Sequence, residues 1–390
     1  PAEVEAIEAF LLSQAEFRHN VITHHCEIRW TEEAGFLPLT DRDVNTLWGR
    51  MNKTVGRVYL TDIYNVIHSE FVPLFNPFQS YFDHLPSWDG VSDPIGDLAD
   101  TVHVKSDQAE FRDYFRKWFV GILPALLDDT VVNHEILVLI GEQGLYKTTW
   151  FNFLLPPELR CYFYTTTNSD RLHKDDLFSL TEFALICFEE LDGMRPAELN
   201  QLKAMVTMPY VNERAAYGRN KERHPHIASF CGTGNNVQFL TDPTGNRRWL
   251  PFEVSQIRDP HQHAIPYELV YSQAYALWKS GFCHWFSQEE IRKLNMHNSR
   301  FEVPNLEEDL IRTHFRKPFE GEAGIFVTAA DILEQISSCL RYPLSPNKIG
   351  RIMAGLEFES IRYKGKRGYI AVKKTGEDSD RERRSGALGL

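Results

Sequence analysis

The sequence predicts an α/β core set between a helical N-terminal region and a C-terminal winged helix, and three stretches predict it. Between residues 134 and 255, short apolar runs alternate with polar helical segments, the rhythm of a layered α/β sheet. Within that region "ILVLIGEQGLYKTTW" carries an apolar strand straight into a glycine-rich turn closed by Lys147 and Thr148. Near the C-terminus, two capped helices precede a basic hairpin. The expected boundaries are a helical region over 1–128, the core over 129–286, a linker and winged helix over 287–375, and a tail over 376–390.

Taken in order, "LTDIYNVIHSEF" offers Thr61 as a helix cap, and "NPFQSYFDHL" sets Asn76 at a cap with Pro77 in the first helical position. "SWDGVSDP" is a turn-rich break. A long amphipathic helix is expected from Asp107 towards Leu127, burying Phe111, Tyr114, Phe115, Trp118 and Phe119. Strands are expected at Glu135 to Ile140, Ala184 to Phe188 and Ile227 to Cys231. "VTAADILEQI" begins with a Thr328-x-x-Asp331 capping box, and "SPNKIGRIMAGL" has Ser345 as cap with Ile349, Ile352, Met353 and Leu356 on one face. "FESIRYKGKRGYIAV" reads as two strands around a Gly365 to Gly368 turn. After Thr375 there is too little apolar content to fold, so the tail is expected to be disordered.

Composition bounds the function. At 390 residues, 43% hydrophobic and 13% aromatic, the chain can bury a large core in two or three domains. No apolar run approaches the roughly 18 residues of a membrane span, and no basic-then-apolar leader opens the chain. The first residue is proline, so an upstream domain is expected. The six cysteines form no C-x-x-C pair, and Cys187 and Cys231 lie inside apolar strands, which fits a reducing cytoplasm. "THHC" at Thr23 to Cys26 is more readily structural than a metal site. A net charge of −12 excludes a generally basic nucleic-acid coat, leaving DNA contact to local patches.

Four motifs carry chemistry. The loop Gly141, Glu142, Gln143, Gly144, Leu145, Tyr146, Lys147, Thr148, Thr149 follows the phosphate-binding pattern except that Tyr146 stands where glycine is expected. Backbone N–H groups at the helix start suit phosphate, Lys147 can reach the β- and γ-phosphates, and Thr148 can ligate Mg²⁺. Alone, the loop fits a nucleotide site and an exposed turn about equally. "FALICFEELDGM" ends an apolar strand in Glu189 and Glu190, one suited to the metal and one to polarising water, although acids often merely solvate a strand end. "IASFCGTGNN" ends in Asn235, whose amide could sense a γ-phosphate, against the plainer reading of a Gly-Asn turn. "TDPTGNRRWLPF" supplies Arg247 and Arg248, candidates for an arginine finger or for surface salt bridges.

In this order the motifs resemble the superfamily 3 helicase module, and more closely the virulence-associated protein E family of phage and mobile-element replication proteins. The matching stretches are "GEQGLYKTT", "EELDGM", "RAAYGRNKERHPHIASFCGTGNN" and "DPTGNRRWLPF", across about residues 129 to 255. The resemblance implies an AAA+/superfamily 3 helicase-like P-loop NTPase core using ATP and Mg²⁺, with Thr148 and Glu189 at the metal. It implies a homo-oligomeric ring, such as a hexamer, on single-stranded DNA. "PFQSYFDHLPSWDG" looks like the helical stretch that precedes the ATPase in phage primase-helicases, where a primase domain often lies upstream. The resemblance also implies a DNA-tracking hairpin at Arg214, Arg219, Lys221, Arg223 and His224, diluted by Glu213 and Glu222. The wing adds Lys364, Lys366 and Arg367 in a span without acids. The expected function is a replicative DNA helicase. Rivals are a nucleotide- or DNA-binding initiator or scaffold with weak or no hydrolysis, and a small-molecule kinase, which lacks a second substrate motif.

Overall fold

The computed structural model describes residues 3–166, 174–213, 222–241, 246–304, 306–319, 321–337 and 345–374. Arg214, Arg219, Lys221 and the 376–390 tail lie outside the described residues. The chain divides into two compact units, Pro1–Glu302 and Val303–Leu390. That division falls later than the expected 286/287 boundary, and no division falls at 128/129.

In the first unit, the glycine-rich loop grows out of a six-stranded sheet. Its order is Val102–Val104, Trp249–Ile257, Ile136–Ile140, Ser229–Gly234, Leu185–Phe188, Phe163–Thr166. All neighbours are parallel except the edge strand Val102–Val104. The central strand Ile136–Ile140 is buried throughout, as an all-apolar parallel strand covered on both faces must be. Its side chains alternate between two cores. Leu137 and Leu139 join Phe115, Trp118 and Tyr271 on one face, while Ile136, Val138 and Ile140 join Leu202, Phe230 and Trp249 on the other. Each such burial is worth about 1.5–3 kcal/mol, so this strand anchors the loop firmly.

The long helix runs Gln108–Leu127 with Asp107 accepting from Ala109 N, and buries all five aromatic residues expected of it. Trp118 Nε1 donates to Phe230 O at 2.9 Å inside the core. The three expected strands form as Ile136–Ile140, Leu185–Phe188 and Ser229–Gly234. Trp249–Ile257, which runs beside the loop strand, was not expected; Pro251 interrupts its sequence pattern.

Between Val4 and Leu127 the N-terminal region carries six helices, and with them a sheet that was not expected. Ala15–Asn20 and His25–Trp30 pair antiparallel, Ala15 opposite Trp30 and Asn20 opposite His25. Leu37–Pro38 and Leu74–Phe75 complete a four-stranded sheet. Helices Val4–Gln14, Asp41–Thr54 and Leu60–Ile67 supply Leu11, Leu47, Met51 and Ile63 to its core. Thr61 is not a cap: the helix begins at Leu60, after Tyr59. Asn76 does cap its helix, accepting from Phe78 N and Gln79 N. Among the described residues no cluster of three His, Cys, Asp or Glu is placed to hold a metal, and "THHC" lies in the hairpin turn and second strand.

In the second unit, helices Leu306–His314, Ala329–Ser337 and Pro346–Gly355 pack with strands Phe315–Arg316, Ile325–Val327, Ser360–Tyr363 and Lys366–Lys373. Thr328 and Asp331 form the expected box, and Ser345 accepts from Lys348 N. Ile332, Ile336, Ile349 and Met353 are fully buried. The hairpin turn is Lys364–Gly365, with Tyr363 opposite Lys366, rather than Gly365 to Gly368. Lys364 and Gly365 both have positive φ, 48° and 80°, as a tight two-residue hairpin requires. Gly368 lies within the strand, where a Cβ would run into the Phe326 ring and Val327 O.

Candidate active site

Three parallel strands ending on the same side of the sheet deliver the candidate side chains. The loop follows Ile140, Glu189 follows Phe188, and Asn235 follows Gly234. Lys147 opens the helix Lys147–Phe153, and its Nζ donates to Gly141 O at 2.5 Å, Glu142 O at 2.7 Å and Asn235 Oδ1 at 3.4 Å. Burial holds this ammonium below the usual lysine range, and the Asp192 carboxylate partly offsets that. Thr148 Oγ1 donates to Glu189 Oε1 at 2.8 Å. Gln143, Gly144, Leu145, Tyr146, Thr149, Glu190 and Thr233 complete the walls of a cleft of about 360 Å³.

Two residues other than glycine adopt left-handed backbone around this cleft. Tyr146 has φ 59° and ψ 19°, and the residue is 42% exposed. The loop therefore keeps, at a tyrosine, the backbone conformation that glycine would supply. Glu190 has φ 55° and ψ 42°. Such residues persist where their surroundings fix them, and they cluster at functional sites.

Asp192 was not foreseen. It accepts from the backbone N–H of Asn235 and of Asn236, both at 3.1 Å, and from Asn236 Nδ2 at 2.8 Å. The turn that carries it crosses close over the asparagine strand. A Cβ on Gly232 would overlap Leu191 Cδ1, and one on Gly234 would meet Asp192 Oδ1 at 3.0 Å. The G-T-G spacing in "FCGTGNN" thus makes room for the turn after the acidic strand. The signal was present as a third acid in "EELD".

Arg247 and Arg248 are not in this cleft. They form the turn Asn246–Arg248, and the strand after it pairs Trp249 with Ile136, at the start of the loop strand. Five residues of strand, roughly 16 Å, separate that end of the sheet from the loop. Here His134 sits below its usual range through burial and the two arginines, and Arg248 is lowered by burial and by Arg247.

Of the candidate DNA-binding residues, Arg223 lies on Glu222–Pro225, which pairs with Tyr210–Glu213 in a two-stranded ribbon. Its guanidinium stands 3.3 Å from the Tyr210 ring centroid. Lys364, Lys366 and Arg367 lie on the hairpin of the second unit, with Arg367 Nε donating to Ser360 Oγ at 3.0 Å.

The family model of the virulence-associated protein E-like domain matches residues 83–303, more than half of the chain. The chain belongs to the virulence-associated protein E-like family. The matched span contains every residue of the cleft and the arginine turn. No curated protein matches at the sequence level. Similar solved structures include the apo C-terminal region of NrS-1, at TM-score 0.49 and 12% identity, covering 95% of this chain and 99% of that one. An SCCmec type IV Cch structure, described as an active helicase, has TM-score 0.40 and 11% identity, covering 94% of this chain and 95% of that one. A RuvB mutant from Thermotoga maritima has TM-score 0.25 and 10% identity, covering 70% and 94% respectively.

Proposed function

We propose that this chain is an Mg-ATP-dependent P-loop NTPase that acts as a ring-forming replicative DNA helicase, of primase-helicase type, in a phage or mobile element. The observation that carries it is the convergence of Lys147, Thr148, Glu189, Glu190 and Asn235 on one cleft from three strand ends. Lys147 exchanges a loop carbonyl for β- and γ-phosphate oxygens, a charge-assisted contact at little reorganisation. The hydroxyl of Thr148 and the carboxylate of Glu189 form an oxygen donor pair that suits Mg²⁺, which when bound would neutralise phosphate charge. Glu190 polarises the water whose oxygen attacks the γ-phosphorus as the bond to the β–γ bridging oxygen breaks. Asn235, fixed by Asp192 behind it, senses the γ-phosphate and orients that water.

Arg247 and Arg248, at the far end of the sheet, serve a neighbouring subunit's phosphate. The ribbon of Tyr210–Glu213 and Glu222–Pro225, through Arg223, contacts single-stranded DNA, together with Arg214, Arg219 and Lys221 of the sequence between its strands. The two capped helices and basic hairpin of the second unit act as a winged helix that adds phosphate contacts through Lys364, Lys366 and Arg367. Lys147→Ala is the direct test: phosphate release from ATP, measured with and without single-stranded DNA, is expected to vanish. Unchanged turnover would remove the P-loop assignment.

A further inference from the structure

The segment just before the unit boundary, residues 297–302, grips both sides of the arginine turn. Asn298, fully buried, ends the helix Gln288–Asn298, and its Nδ2 donates to Asn246 O at 2.8 Å and Trp249 O at 3.0 Å. Those two carbonyls flank Arg247 and Arg248. Asn246 is itself buried, and its Nδ2 donates to Glu302 Oε1 at 2.8 Å. On the incoming side, Phe239 N and Leu240 N both donate to Phe301 O, at 2.9 and 3.0 Å. His297 anchors the grip: its Nε2 donates to Pro251 O at 2.7 Å, and its Nδ1 lies 2.9 Å from Glu110 Oε2 on the long helix.

A three-residue 3₁₀ turn has little stability of its own, so its orientation must be set from outside. One amide that bonds the carbonyls on either side of the arginine pair fixes where both guanidiniums leave the backbone. We infer that Asn298, supported by Glu302 through Asn246, is the positioning residue for the arginine pair that a neighbouring subunit's nucleotide receives. This deepens the proposed function and rests on its arginines acting in trans. Asn298 lies at the opposite end of the sheet from Lys147, so its loss should leave the chain's own nucleotide cleft intact.

The test is a complementation assay with full-length chains. Asn298→Ala is expected to bind Mg-ATP within about three-fold of wild type while turnover falls about ten- to a hundred-fold, the pattern of a group needed only in the transition state. Mixed with Lys147→Ala chains it should recover hydrolysis, because the Lys147→Ala subunit supplies a well-held arginine turn to the other's intact cleft. Mixed with an Arg247→Ala, Arg248→Ala chain it should recover nothing, since neither presents a competent arginine. The control pair is Lys147→Ala with the double arginine variant. If that pair recovers and the Asn298→Ala pair does not, or if Asn298→Ala loses nucleotide affinity along with turnover, Asn298 is not a positioning residue. If the control pair itself fails, the arginines do not act in trans and the inference falls with them. Glu302→Ala, half-exposed and gentler on folding, goes through the same mixtures and decides the matter if Asn298→Ala does not fold; it is expected to sort with the arginine variants, and sorting with Lys147→Ala would overturn the inference.

Discussion

Tyr146 concentrates the tension between sequence and structure at a single residue. Its left-handed backbone costs about 1–2 kcal/mol in an L-residue other than glycine or asparagine. Glycine there would relieve that strain but gain roughly 0.5–1 kcal/mol of unfolded-state freedom. Tyr146→Gly is therefore expected to stabilise the first unit by about 0.5–1 kcal/mol, read from urea unfolding midpoints, with ATP affinity unchanged or hydrolysis raised. Loss of ATP binding would instead make the ring a nucleotide contact. Glu190→Gln should bind ATP and hydrolyse it slowly, whereas Glu189→Gln should weaken the dependence on Mg²⁺; the reverse pattern in a Mg²⁺ titration would exchange their roles. At this scale the sequence was most informative where a motif fixes spacing, as for Lys147, Thr148 and Asn235. Asp192 escaped because its partners, Asn235 and Asn236, are distant in sequence and meet it only when two strands align.

Among the elements, those with a local signal were legible and those made by pairing were not. Asn76, Asp107, Thr328 and Ser345 each announce a helix through a side chain that bonds nearby backbone, and each does so in the structure. The N-terminal hairpin carries no such mark: "AEFRHN" and "HCEIRW" are polar, and the turn between them uses His24 at φ 56° rather than glycine. Trp249–Ile257 was hidden by Pro251, which is tolerated although the strand lies inside the sheet. The basic hairpin of the second unit carries its own prediction. Replacing Lys364, Lys366 and Arg367 together should weaken single-stranded DNA binding and flatten its salt dependence by about two to three ion-release units. An unchanged slope in a salt titration would make that unit a protein-docking module instead.

For the whole molecule, the α/β core was legible because alternating apolar runs and loops recur within it, while the boundary between the two compact units, after Glu302, has no local mark in the sequence. The helix Gln288–Asn298 looks like a linker in sequence, being largely polar, yet it packs into the first unit through Leu294, His297 and Asn298. If the arginines act in trans, specific activity should rise with protein concentration as subunits associate, measured by dilution across the association range. Activity independent of concentration would mean that the arginines act in cis or only structurally. The parallel sheet has a further consequence for assembly. With the Lys147 cleft at one end and the arginine turn at the other, each subunit has a head and a tail. If the proposed function holds, a heterologous, head-to-tail contact gives each cleft the next subunit's arginine turn, and such a contact closes into a ring when its rotation divides a full circle and otherwise climbs into an open spiral whose two end subunits each leave one half-site idle.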